Sequence, residues 1–229
     1  MQKIQLAIFD MAGTTVNENN VVYKTLQETI NEKGYDLSLD FVLEHGAGKE
    51  KHQAIIDLLK MKGKDDPQKV VSIARDMFER FKYLLKNAYK NLEVTSYDGV
   101  EELMIELKKA NIKVALNTGY DKATAQLLID KMNWKLGEQY DTLITSDDVK
   151  NGRPHPDMIL KAMDVLEITN VKNVLKAGDS IIDIEEGKNA SCGITVGVTT
   201  GAHTKKQLEM AKPTYILNSL TELKNILIG

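Results

Sequence analysis

Asp10 ends a run, Ile4-Gln5-Leu6-Ala7-Ile8-Phe9, whose apolar, β-branched and aromatic residues read as a buried strand, and Gly13, Thr14 and Thr15 turn the chain just beyond it. A carboxylate at the carboxyl end of such a strand stands where open α/β sheets bind ligands, and it serves there as a nucleophile or a metal ligand. Two positions on is Ala12, which cannot transfer a proton. Three later segments put reactive groups after apolar runs. Thr118-Gly119 pairs a hydroxyl with a glycine amide, suited to phosphate oxygens but equally an ordinary turn. Asp179, in Gly178-Asp179-Ser180, and Asp183 set two hard carboxylates in one loop, fit for Mg²⁺ or, each taken singly, for capping a helix. Arg153, in Gly152-Arg153-Pro154-His155-Pro156, offers a planar guanidinium to a phosphoryl group or to a surface ion pair, and His155 reads as structural or solvent-facing. Lys49 and His52 share a helical face at a separation of three, where an imidazole can serve a neighbouring amine; solvated charge at a helix start is the plainer reading.

These groups need a scaffold that brings distant loops together. Apolar positions recur at helical spacing from Val21 to Gly34, after Asp40, from Lys49 to Gly63 and over 68–91, with Gly46-Ala47-Gly48 as an interruption. From residue 100 the pattern alternates. Helices are expected at 100–110, 122–132, 157–166 and 182–190, and strands at 113–116, 142–144, 174–177, 195–198 and 215–217. Alternation of this kind builds a doubly wound parallel sheet with its site at the strand ends. An all-helical block inside it argues for an inserted cap, giving a core of 1–16 and 97–229 and a helical cap of 17–96.

A net charge of −3 gives no basic field for nucleic acid or an anionic membrane, so neither is expected as a partner. No apolar run reaches the ~20 residues of a spanning helix, the N-terminus lacks a signal-peptide pattern, and the single cysteine, Cys192, excludes an intrachain disulfide. Cys192 reads as a small buried filler, and a soluble cytoplasmic protein is expected.

Asp10-x-Ala12-Gly13-Thr14, Thr118-Gly119, Arg153-Pro154 and Gly178-Asp179 with Asp183, in this order, resemble the four motifs of the haloacid dehalogenase (HAD) superfamily. The resemblance spans nearly the whole chain. It implies that Asp10 attacks phosphorus to form an aspartyl-phosphate, and that Mg²⁺ is held by Asp10, the Ala12 carbonyl, Asp179 and Asp183. It further implies that Ala12, Gly13, Thr118, Gly119, Tyr120 and Arg153 bind the phosphoryl group or substrate. Alanine where most members carry a second aspartate, and arginine where most carry lysine, are similar to the phosphonatase-like group. In that group a Gly-x-x-Lys segment of the cap, followed by histidine, supplies an imine-forming amine, which assigns Lys49 and His52 as catalytic. His45 and Asn20 depart from the group's pattern, which has methionine and cysteine there. The implied activity is Mg²⁺-dependent hydrolysis of the C–P bond of a small 2-oxoalkyl phosphonate through a Lys49 imine. A phosphomonoesterase acting on a small metabolite or sugar phosphate is the alternative, and a homodimer is an admitted assembly.

Overall fold

The structure, a computed structural model, describes residues 3–64 and 66–229. Its centre is a six-stranded sheet of β1 (Leu6–Asp10), β4 (Lys113–Asn117), β5 (Thr142–Ile144), β6 (Val174–Gly178), β7 (Ile194–Val198) and β8 (Tyr215–Leu217), in the order β5-β4-β1-β6-β7-β8. Every pairing is parallel. Parallel strands need crossovers, and helices supply them on both faces. Because side chains alternate across a strand, β1 splits in two: Ala7 and Phe9 join a cluster with Val114 and Leu116, while Leu6 and Ile8 pack opposite with Ala115, Met158 and Ile159. A strand buried on both faces reads as a continuous apolar run, which is why all five residues of β1 are buried.

The helical insert comprises α1 (Val21–Asn31), α2 (Leu39–Gly46), α3 (Lys51–Lys62) and α4 (Val70–Asn91). Helix α4 buries Ala74, Met77, Phe81, Leu85 and Tyr89, a stripe at three-to-four spacing that packs on α1 and α3. The chain enters and leaves this cap through β2 (Val16–Asn17) and β3 (Thr95–Ser96), an antiparallel pair where sequence pattern showed only linkers. Two residues per strand are too few to show alternation. After β3 come α5 (Val100–Lys109), α6 (Lys122–Lys131), α7 (Asp157–Val165), α8 (Ile181–Asn189), α9 (Lys205–Met210) and α10 (Leu223–Leu227). The last two, of six and five residues, were not expected from periodicity. Among the described residues, no helix is long and apolar enough to cross a membrane. Cys192 is only half-buried, and burial pushes its thiol up to about 12, so it is not poised as a nucleophile.

Candidate active site

Parallel register assembles the site. Asp10 pairs with Asn117 and Phe9 with Ala177, so β1, β4 and β6 release their carboxyl ends at one edge. Asp10, Asp179 and Asp183 converge there: one carboxylate oxygen from each lies within 4.8 Å of the others. Asp183 sits at the third position of α8 in a capping box with Ser180, whose Oγ donates to Asp183 Oδ2 at 2.5 Å. The cap and ligand readings of Asp183 are therefore compatible. One oxygen caps the helix, and Oδ1 turns to the cluster, 3.0 Å from Arg153 Nη1 and 2.9 Å from Lys176 Nζ but without an aligned hydrogen bond.

Arg153 reaches inward from the loop before α7 and is almost wholly buried. Its Nη1 donates to Asp10 Oδ1 at 2.7 Å and its Nε to Glu186 Oε2 at 3.0 Å. Nη2 donates to the backbone and side-chain oxygens of Asn117 at 2.9 and 2.8 Å. Lys176, wholly buried in β6, donates to Asn117 Oδ1 at 2.8 Å. Asn117 Nδ2 in turn donates to both Glu186 oxygens, at 3.0 and 3.1 Å. Sequence reasoning missed Asn117, Lys176 and Glu186. The signal was present: a lysine inside the apolar strand Val174-Leu175-Lys176-Ala177-Gly178 calls for buried polar partners, and Glu186 follows Asp183 by one helical turn.

Charge balance then bears on the metal. Four buried carboxyl groups, Asp10, Asp179, Asp183 and Glu186, stand against two buried basic side chains, Arg153 and Lys176, an excess of two acids over bases. Burial first, then repulsion from Asp183, pushes the Asp10 carboxyl above its usual range, although Arg153 pulls it down. Burial and the neighbouring Asp10 and Asp183 push Asp179 up further. Burial would raise Asp183 too, but Arg153 and Lys176 outweigh it and hold that group down at about 2. Burial disfavours the charged Arg153, yet Asp183, Asp10 and Glu186 reverse this and raise it. Hard oxygen donors clustered in excess of the buried basic groups fit a divalent cation such as Mg²⁺, whose charge would favour their ionised forms.

Glycines make room for this cluster. A Cβ on Gly201 would lie 2.0 Å from Asp179 Oδ2 and one on Gly13 2.3 Å from the same atom, and Gly13 adopts φ +84°. The amide of Ala202 donates to Asp179 Oδ2 at 2.6 Å, holding that carboxylate in the gap. The Gly13 N–H is spent on Val16 O at 2.9 Å, so Gly13 contributes space and turn geometry here.

The cavity at Asp10 is lined by Asp10, Ala12, Tyr23, Gly48, Lys51, Thr118, Gly119, Tyr120 and Arg153, with room of only about 10 Å³. That is close to one water, smaller than a phosphonate group. Thr118, Gly119, Tyr120 and Ala12 thus line the space beside Asp10. Lys49 and His52 do not. The side chain of Glu50 accepts from the backbone amides of His52 and Gln53, both at 2.8 Å, so α3 begins at Lys51 and Lys49 lies outside the helix. The expectation that Lys49 and His52 share a helical face is corrected by this cap. Lys49 Nζ pairs with Asp57 Oδ2 at 2.6 Å in a neighbouring cleft that also reaches Arg153. The His52 ring packs 5.5 Å from Phe78, with Nε2 buried and unpartnered.

Tyr120 continues a second network. Its hydroxyl is 2.9 Å from that of Tyr89, which donates to Glu18 Oε2 at 3.0 Å. His203 ties cap to core: Ile181 N–H donates to Nδ1 at 2.9 Å, which leaves Nε2 to donate to Leu43 O of α2 at 3.1 Å. Burial lowers the His203 pKa, in keeping with this neutral tautomer.

A parallel sheet with both faces covered, an inserted helical block, and Asp10 facing an acidic pair at the strand ends define a capped α/β hydrolase fold. Residues 7–198 match the family model described as haloacid dehalogenase-like hydrolase, and the chain belongs to that family. It is 30% identical to a phosphonoacetaldehyde hydrolase of Latilactobacillus sakei, over 99% of this chain and 96% of that one. It is also 27% identical to the pyrophosphatase PpaX of Bacillus mycoides, over 98% and 97%. A solved phosphonoacetaldehyde hydrolase-like protein from Oleispira antarctica superposes with a TM-score of 0.82 at 23% identity, over 98% of this chain and 91% of that one, which speaks to the fold alone.

Proposed function

We propose that this hydrolase cleaves the C–P bond of a small 2-oxoalkyl phosphonate. The observation that carries the reading is the lining of the Asp10 cavity: an arginine, a lysine and three hydroxyls, with Asp10 as its only carboxylate and no imidazole among the described residues. Nothing there donates a proton to a leaving alkoxide as a carboxylic acid does, and Ala12 stands where that acid is needed. A carbon leaving group conjugated to a protonated imine needs no such proton, because its electron pair enters a C–C double bond and forms an enamine.

In this reading an Asp10 oxygen attacks phosphorus as the C–P bond breaks, and the Arg153 guanidinium and Thr118 hydroxyl hold the phosphoryl oxygens. The amine comes from the cap, and resemblance assigns it to Lys49. Water then cleaves the aspartyl-phosphate to inorganic phosphate, and the enamine takes a proton at carbon before a second water releases the aldehyde. Asp10, Asp179, Asp183 and the Ala12 carbonyl would hold Mg²⁺, which when bound supplies charge neutralisation at the phosphoryl oxygens. Arg153 and Lys176 keep Asp183 ionised for that role.

The rival reading, hydrolysis of a phosphate ester or pyrophosphate, draws on the pyrophosphatase relative. Phosphate release with Mg²⁺ decides between them. We expect phosphonoacetaldehyde to yield phosphate and acetaldehyde in equal amounts. Release from sugar phosphates or pyrophosphate, with none from phosphonoacetaldehyde, would overturn the C–P assignment.

A further inference from the structure

Two cap lysines lie near the site, and their surroundings differ in kind. Lys49 Nζ is held by Asp57 at 2.6 Å, in a cleft beside the Asp10 cavity and not in its lining. Lys51 is buried, lines the Asp10 cavity and also lines the adjoining cleft of about 500 Å³, so its side chain stands where the two spaces meet. Among the described residues no carboxylate lies within 4 Å of its nitrogen. Its hydrogen-bond acceptor is the Lys49 carbonyl at 2.5 Å, and the rings of Tyr23 and Tyr120 lie 5.5 and 5.7 Å away. The first turn of α3 fixes this placement: Glu50 caps the helix, and Gly48, at φ +75°, packs against Ser180 with no space for a side chain. Gly119 approaches the Lys49 backbone so closely that a Cβ would come within 2.9 Å of its carbonyl oxygen.

We propose that Lys51, and not Lys49, is the amine that condenses with the substrate carbonyl, an assignment that rests on the C–P-cleaving reading above. A phosphonate held at Asp10 and Arg153 places its carbonyl carbon toward the wider cleft, and Lys51 sits on that path. Unprotonated Nζ adds to the carbonyl carbon. The carbonyl oxygen leaves as water, carrying one hydrogen from the amine and one proton from solvent, and a protonated imine with one N–H remains. When the C–P bond breaks, its electron pair forms the C–C double bond of the enamine and neutralises the imine nitrogen. Burial, the first cause, lowers the Lys51 pKa and so raises the fraction able to attack, with Glu50 and Asp10 opposing and Arg153 adding to it.

The test uses the whole protein with Mg²⁺ and phosphonoacetaldehyde, quenched with sodium borohydride, which reduces the imine to a stable secondary amine. Tandem mass spectrometry of the peptide carrying both lysines should find an ethyl or phosphonoethyl group on Lys51. The group on Lys49 overturns this assignment and leaves the imine reading standing. An unmodified peptide overturns both. Lys51→Arg keeps the cation and should lose the adduct, with acetaldehyde release falling on the order of a thousandfold or more. A folded Lys51→Arg protein, checked by near-ultraviolet circular dichroism, that turns over at the parent rate overturns the proposal as well.

Discussion

Glu18 offers a stability measurement whose sign and size follow from its surroundings. It lies between β2 and α1, 2% exposed, where Val22 N–H and the Tyr89 hydroxyl each donate to Oε2 at 3.0 Å. Burial outweighs these hydrogen bonds and the charge of Lys51, and raises the carboxyl from 4.5 to about 7. The folded chain therefore holds a proton that the unfolded chain releases near pH 4.5. The contribution is fully present below that pH and is lost as pH rises through about 7. A separation of 2.5 units at ~1.36 kcal/mol each gives a loss on the order of 3 kcal/mol. Glu18→Gln imitates the protonated acid and keeps an oxygen for both donors, so the variant should lack this dependence. Urea unfolding of both proteins, followed by the fluorescence of the buried Trp134, isolates the effect in their difference. Between about pH 5 and pH 8 the variant should gain roughly 2–3 kcal/mol relative to the parent, with equal m-values. Parallel stability curves across that range would show that Glu18 titrates normally and refute the argument.

Other perturbations separate the parts of the site. Asp10→Asn keeps shape beside Arg153 but removes the carboxylate proposed as nucleophile; turnover should fall on the order of 10⁴-fold or more, and acid-quench trapping should find phosphate on Asp10 only in the parent. Gly201→Ala forces the Asp179 carboxylate to move, since its Cβ would fall 2.0 Å from Oδ2, and should weaken the apparent Mg²⁺ affinity roughly 10–100-fold in a titration of phosphate release. A chelator should abolish parent activity in the same assay, and activity that survives it would remove the metal from the reaction.

Much of this molecule is legible in one dimension. The apolar runs ending in Asp10, Asn117 and Gly178 specify strands buried on both faces, and their alternation with helices specifies a parallel sheet, because parallel strands need crossovers. Parallel strands also finish at a common edge, so Asp10, Thr118 and Asp179 were bound to meet, and Ala12 by its identity alone offers no proton to transfer. Tertiary structure decided what spacing cannot express. Asn117, Lys176 and Glu186 enter the site from three elements through register, and their charges acquire meaning only when burial removes the water that otherwise screens them. The lysines show the same limit. Resemblance selected Lys49 and spacing put it on one helical face with His52, but the side chain of Glu50 sets where α3 begins, and with that start Lys49 pairs with Asp57 while Lys51 lines the cavity. Side-chain direction at a helix terminus depends on which groups satisfy its free amides, and that depends on contacts a linear pattern does not contain.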